Sequence, residues 1–367
     1  MTTTPPAVYR KTAVRGDAPN GTSSYSALLA RVKEQGLLER RRRFYWTLFG
    51  SLVAAIALAW VAFAFLGDSW YQLIVAGVLG VVFTQFAMMG HEAGHSQVFA
   101  SRKWNERSGR FLGVFGAGLS YSWWLTKHNK HHGNPNTIGK DPDIMPDTIR
   151  FLEEDAAQVK GPLKYLMRVQ GYAFFPLLLL EGLNLHLIAW RSVITGQNMR
   201  GNKKDRLTEA TMLVVRFGLY LGVVFTFLPF GMAWAFLGVQ MAVFGLFMGA
   251  AFAPNHKGMP VIAHDAKVDF FSRQVRTSRN IRGNAVVTFL MGGLNYQVEH
   301  HLFPSMSRPH LKAARLLVRE HCDTLEVPYT ETTLLRSYGI VVRYLNRVGL
   351  AARDPFACPL VAELRIR

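Results

Sequence analysis

The sequence predicts an all-α integral membrane protein: four transmembrane helices in two hairpins, topped by a cytoplasmic helical cap that holds a di-metal site. Three observations lead there. Half of the 367 residues are hydrophobic, and the mean hydropathy is +0.11, whereas a water-soluble enzyme of this size usually falls below zero. Four stretches stay apolar over the roughly 20 residues that a helix needs to cross a bilayer. Seven of the twelve histidines fall in three five-residue windows.

The spans are expected at about 44–66, 70–90, 210–229 and 231–253. They pair off across two short turns, "GDS" (67–69) and "PFG" (229–231), neither of which holds a Lys or Arg. The flanks differ. Arg40 to Arg43 form a basic run, and both the 101–168 segment and the chain beyond 255 are studded with Lys and Arg. Basic loops stay on the cytoplasmic side. Both termini and the middle segment are therefore expected in the cytoplasm of a plasma membrane, with the two turns outside. A fifth apolar stretch, 171–190, carries Glu181, Asn184 and His186, with Pro176 inside it. Were it to span, the middle and C-terminal basic regions would lie on opposite faces. It reads as an interfacial or partly inserted amphipathic helix. Residues 109–125 are too short to span and read as a second in-plane element, with Trp123 and Trp124 suited to the headgroup zone.

The domain division follows. Residues 1–43 form a polar, basic cytoplasmic tail, without the apolar run of a signal peptide and unstructured to about residue 25. Residues 44–330 form the membrane domain, and 331–367 a C-terminal cytoplasmic extension. The net charge of +18 fits loops beside anionic membrane lipid, and in this apolar chain it is not read as a nucleic-acid surface. The two cysteines, Cys322 and Cys358, stand in no C-x-x-C pair, so neither a disulfide framework nor a zinc ribbon is expected.

The histidine windows are "HEAGH" (His91, His95), "HNKHH" (His128, His131, His132) and "QVEHH" (His300, His301). Random placement of twelve histidines would put fewer than one in those fifteen positions. Helical spacings of three and four residues turn the imidazoles of a window toward one face. The charge pattern puts all three windows on the cytoplasmic side. Seven imidazoles exceed the three or four ligands of one zinc ion and suit two metal ions. Ligand type alone leaves zinc, copper, iron and nickel open, though a membrane site built from neutral nitrogens points toward redox or oxygen chemistry. His256, in "FAPNHKGMP" at the end of the fourth span, is an eighth candidate ligand. Asn255 and Gln297 are candidates to ligate weakly or hold a metal-bound water. Glu92 and Glu299 inside the windows, and Asp141 and Asp143 in the loop that follows the second, are candidates to orient imidazole N–H groups. The two glutamates would also offset the charge of two divalent ions. His186, His264, His310 and His321 read as solvated. No catalytic side chain beyond the metal ligands is expected.

In this order, and with two hairpins around them, the three windows resemble the histidine boxes of the membrane fatty-acyl desaturases. "HNKHHGNPNTIGKDPDI" and "TSRNIRGNAVVTFLMGGLNYQVEHHLFPSMSRPHL" (277–311) are similar to the actinobacterial, mycobacterial stearoyl-CoA-type enzymes within the wider linoleoyl or front-end branch. The resemblance covers roughly residues 40 to 330. It implies a non-haem di-iron site, with O2 as co-substrate, that introduces a cis double bond into a fatty acyl-CoA or acyl-lipid chain. Its iron ligands would be the seven box histidines. The third box opens on Gln297 where many desaturases have His, which leaves room for His256 as the additional ligand. Two electrons per turnover must come from outside. Some relatives carry a fused cytochrome b5 domain with an H-P-G-G motif. None occurs here, so a separate ferredoxin- or flavin-containing NAD(P)H reductase is implied. A hydroxylase or ketolase of the same histidine-box type is the nearest alternative. A zinc protease built on "HEAGH" would leave five box histidines unexplained. A transporter would place its ionisable residues at mid-membrane.

Overall fold

The computed structural model describes Val8–Tyr9 and residues 24–351. Most of the tail expected to be unstructured lies outside the described residues, as do the end of the C-terminal extension and Cys358. Helix α1 (Ser24–Glu34) precedes the first long hairpin, α2 (Arg42–Leu66) and α3 (Gln72–Gly94). Next come α4 (Arg102–Arg110), a π-helical stretch (Phe111–Gly116) and α5 (Tyr121–Gly133). A loop holding α6 (Glu153–Ala157) and α7 (Leu163–Arg168) leads to α8 (Gln170–Thr195), and the second hairpin is α9 (Lys203–Phe227) and α10 (Phe230–His256). Five further α-helices and a 3-10 turn (Leu294–Tyr296) complete the described chain: α11 (Phe270–Thr277), α12 (Ala285–Leu290), α13 (Gln297–Leu302), α14 (Arg308–Thr324) and α15 (Leu334–Leu350). The protein is mostly helical. Two short parallel pairs interrupt the pattern, β1 (Val8–Tyr9) with β2 (Val261–Ile262) and β3 (Asn280–Arg282) with β4 (Glu331–Thr333). Strands of two or three residues are too short for an alternation to announce them.

Five helices are long and apolar enough to cross a membrane: α2, α3, α8, α9 and α10. Four of them match the expected spans. The fifth, α8, is the apolar stretch expected to lie at the interface, and it runs unbroken through Pro176. The first hairpin turns where Gln72, fully buried, donates its side-chain amide to Phe63 O at 2.8 Å and Gly67 O at 2.9 Å. Those bonds satisfy carbonyls at the end of α2 that have no helical partner. Helix α9 starts on a capping box formed by Asn202 and Asp205.

Helix α3 is the central element, buried along most of its length, while α2 and α9 leave broad apolar faces exposed. Glycines set the closest helix contacts. A Cβ at Gly80 of α3 would lie 2.8 Å from the Gln240 carbonyl of α10, and Gly182 of α8 and Gly245 of α10 meet backbone to backbone. The main core fills the space between α2, α3, α9 and α10, with Leu79, Phe83, Val224 and Phe236 at its centre. A second core, including Leu28, Val298, Leu302 and Val318, ties α1 to α13 and α14. Residues beyond 330 join this body, since β4 pairs with β3 and Val341 and Leu345 of α15 pack against Phe174 and Leu178 of α8. Residue 330 marks no break in the packing.

Candidate metal centre

Four helices end at one place. His91 lies on the last turn of α3, and His95 closes that helix with its N–H bonded to His91 O. Helix α5 supplies His128, His131 and His132, α13 supplies His300 and His301, and His256 is the last residue of α10. The start of α5 is fixed from a distance. The Ser120 hydroxyl, which caps α5, and the Ser122 hydroxyl both donate to the buried Glu209 carboxylate of α9, at 2.8 and 2.5 Å.

The eight imidazoles sort into two groups. Ring nitrogens of His91, His95, His128, His132 and His300 lie within 4.8 Å of one another, and so do those of His131, His256 and His301. In the first group His128 Nε2 is 3.1 Å from His91 Nε2 and 2.8 Å from His95 Nε2. In the second His131 Nε2 is 3.3 Å from His256 Nε2. The groups touch where the His132 and His301 rings stack at 4.2 Å.

These donors fit metal ions. Both ring nitrogens of His132, and Nε2 of His300 and of His301, are buried without a hydrogen-bond partner. Buried polar atoms are rarely left unpaired, and each imidazole group holds at least one such nitrogen free to meet a cation. Their protonation agrees. Burial pulls His95 down to about 3, and burial reinforced by the neighbouring rings holds His128, His132, His300 and His301 well below the ordinary range. Neutral imidazole is the ligating form. His131 is the exception: burial acts downward, but Asp141 and Asp143 outweigh it and raise its pKa.

Three imidazoles are oriented from behind. His131 Nδ1 bonds to Asp141 at 3.0 Å and lies 3.4 Å from Asp143. His301 Nδ1 bonds to Gln274 Oε1, and His256 Nδ1 to Thr277 O, each at 2.9 Å. Asp141 itself is held by the Asn136 N–H at 2.7 Å, with Asn136 in the left-handed region at φ 49°. Gln297 reaches the second group, its Nε2 2.9 Å from His256 Nε2, and Asn255 donates to Gln297 Oε1 at 3.0 Å. The Asn255 Oδ1 is buried and unpartnered.

The glutamates of the boxes correct the expectation. Glu92 does not turn to an imidazole. It receives two bonds from Arg308, from Nε at 2.7 Å and from Nη2 at 2.6 Å, and a weaker one from Tyr45 at 3.3 Å. A helix that turns His91 toward the metal site carries its next residue about 100° around, away from it. This also removes the protease reading, because Glu92 is committed to a guanidinium. Glu299 likewise bonds to Asn280 at 2.7 Å and Tyr329 at 2.8 Å, and burial pushes its carboxyl up to about 7.

Two further expectations change. His186 is not solvated. It is buried between Phe217 and Phe244 and bonds to Gly182 O. Trp124 does not face the headgroups. It stacks on His128 at 4.6 Å and meets the His91 ring at 5.3 Å. It stands four residues before His128, on the same helix face, and that spacing was the available signal. His264 is exposed as expected, whereas His310 and His321 are half-buried. Gln274, Thr277 and Arg308 carry no signal in a single sequence.

The family model for fatty acid desaturases matches residues 68–333. Among curated proteins, a delta(8)-fatty-acid desaturase of Helianthus annuus is 27% identical over 90% of this chain and 74% of its own length. A delta(6)-fatty-acid desaturase of Caenorhabditis elegans is 26% identical over 89% of this chain and 75% of its own. An acyl-lipid (9-3)-desaturase of Physcomitrium patens is 30% identical over 78% of this chain and 55% of its own. The matched region holds both imidazole groups, and the chain belongs to the fatty acid desaturase family of membrane oxidoreductases.

Proposed function

We propose that the protein desaturates fatty acyl-CoA at a di-iron centre on the cytoplasmic face of the plasma membrane, with electrons from a separate reductase. The observation that carries this reading is the division of eight buried imidazoles into two convergent groups. His91, His95, His128, His132 and His300 would hold one iron ion. His131, His256 and His301 would hold the other, with Gln297 and Asn255 placed to ligate or to fix a water. When bound, the iron pair supplies the O2-derived oxidising power that an unactivated methylene C–H demands and no side-chain base can provide. The protein's own part is to hold and exclude. Asp141, Gln274 and Thr277 O fix imidazole tautomers with Nε2 directed inward. Trp124 covers one side of the first group, and its indole keeps water from His91 and His128.

The topology in this reading has four spans, with α8 in the cytoplasmic half of the membrane. Both ends of α8 lie near elements on the metal side. Phe174 and Leu178 pack with Ala253 near the end of α10 and with α15. Ala189 and Val193 pack with Tyr121 and Leu125 of α5 and with Leu213 in the first half of α9. A spanning helix would carry one of its ends to the opposite face. The basic cytoplasmic surface suits the phosphates of CoA and an acidic electron donor.

The test has two arms. Purified protein should contain two irons per chain, and one zinc would contradict the reading. A host expressing the chain should gain monounsaturated acyl chains, with acyl-CoA serving as substrate in isolated membranes. Hydroxylated or keto products would assign the chemistry to the alternative, and acyl-lipid turnover without acyl-CoA turnover would reassign the substrate.

A further inference from the structure

The four residues Thr277–Asn280 include no histidine, yet they touch the supports of both imidazole groups. Thr277, Ser278 and Asn280 are 0% exposed and Arg279 is 2% exposed. On one side they clasp the end of α10. Thr277 O accepts from His256 Nδ1 at 2.9 Å, and the Arg279 N–H donates to Asn255 O at 2.8 Å. The Arg279 guanidinium donates to Pro254 O from Nε at 2.9 Å and from Nη2, and to Lys257 O at 3.0 Å. On the other side Asn280 Oδ1 accepts from the Val298 N–H at 2.9 Å, and Asn280 Nδ2 donates to Glu299 at 2.7 Å. One buried segment thus joins His256 to the helix that carries His300 and His301.

Arg279 is the unusual member. Among the described residues no carboxylate pairs with it, and Met259 Sδ is its only other partner, at 3.9 Å. A buried charge without a counter-ion is costly. What offsets the cost is the end of α10. The last carbonyls of a helix lack donors and carry its negative pole, which favours a cation there. A planar fork can bond two carbonyls at once, whereas an ammonium acts as a point donor. The two carbonyls, of Pro254 and Lys257, bracket His256.

We propose that Arg279 is a positioning residue that fixes His256 in the three-imidazole group by clamping the carbonyls on either side of it. The inference rests on the reading that each imidazole group holds one metal ion. The test is metal content per chain in purified wild type, Arg279→Lys and Arg279→Gln, together with the rate of release to a chelator and the elution profile. Wild type should hold two metals. A wild type with fewer than two contradicts the two-group reading and leaves the clamp to be judged by release rate alone. Both variants should elute as wild type and lose one of the two metals about 10–100-fold faster, the usual effect on metal binding of removing support behind a ligand. The other metal should be released at the wild-type rate. Unchanged release of both metals would overturn the proposal, as would equal acceleration of both. So would failure of both variants to fold, since a residue that sets one ligand leaves the helices intact.

Discussion

Replacing Arg308 with Met should destabilise the protein by about 3–5 kcal/mol, the range for breaking a buried ion pair from one side. The magnitude follows from the surroundings. The side chains of Glu92 and Arg308 are 2% and 4% exposed, and they meet through two bonds of 2.6 and 2.7 Å. Without Arg308 the carboxylate keeps only the longer bond from Tyr45. A chain of 367 residues has an unfolding entropy of about 0.8 kcal/mol/K, so Tm should fall by about 4–6 °C. The double variant Glu92→Leu/Arg308→Met removes both charges and fills the space with apolar atoms. It should lie within about 1 kcal/mol of wild type, because the pair itself contributes little beyond cancelling its own desolvation. Thermal scans of detergent-purified protein, read by intrinsic fluorescence, give the four corners of the cycle. If the double variant were as unstable as Arg308→Met, the cost would come from packing around α14, and the ion-pair account of Glu92 would be refuted.

Three further outcomes are expected. His131→Ala and His300→Ala, one from each imidazole group, should each abolish acyl desaturation while membrane fractions still contain the protein; wild-type turnover in either would break the ligand assignment. Asp141→Asn should weaken metal binding about 10–100-fold at the group containing His131, seen as faster release of one of two metals, and equal release of both would be inconsistent with the 3.0 Å bond to His131 Nδ1. Metal-free protein should lose stability as pH falls. Burial holds His95 near 3 against an ordinary 6.5 and lowers His128, His132, His300 and His301 in the same sense. Between those values the unfolded chain binds protons that the folded chain refuses, so stability is full above about 6.5 and is lost downward through the window. A Tm that stays flat from about pH 7.5 to about 5.5 would contradict neutral, buried imidazoles.

The long apolar helices were legible because bilayer crossing imposes length and apolarity on a single continuous stretch. The box histidines were legible because i, i+3 and i+4 spacings converge on one helix face without knowledge of the rest of the fold. His256 was legible from its place at the end of α10. What failed were inferences from sequence proximity to contact. Glu92 stands beside His91 in the chain, but its partner Arg308 is 216 residues away, and Glu299 answers to Asn280 and Tyr329. His186 looked solvated because a lone histidine in an apolar stretch gives no sign of the Phe217 and Phe244 rings that enclose it. Helix α8 runs from Gln170 to Thr195, past the apolar stretch at 171–190, and its Glu181 and Asn184 bond to each other on its outer face.

The displacement of Glu92 has a consequence for charge. Two divalent ions, one in each imidazole group, would bring four positive charges into a site whose candidate ligating atoms are neutral nitrogens. Glu92, the carboxylate of the first box, is already cancelled by Arg308. Two carboxylates stand behind His131. Asp141 is fully buried against it, and Asp143 is shared with Lys127 at 2.9 Å. Burial opposes the charge on Asp143, yet Lys127, His131 and Lys257 outweigh it and hold its carboxyl below the ordinary range. Anionic compensation is therefore concentrated at the three-imidazole group, which has fewer nitrogens, while the five-imidazole group relies on donor number. The two positions are electrostatically unequal before any substrate arrives.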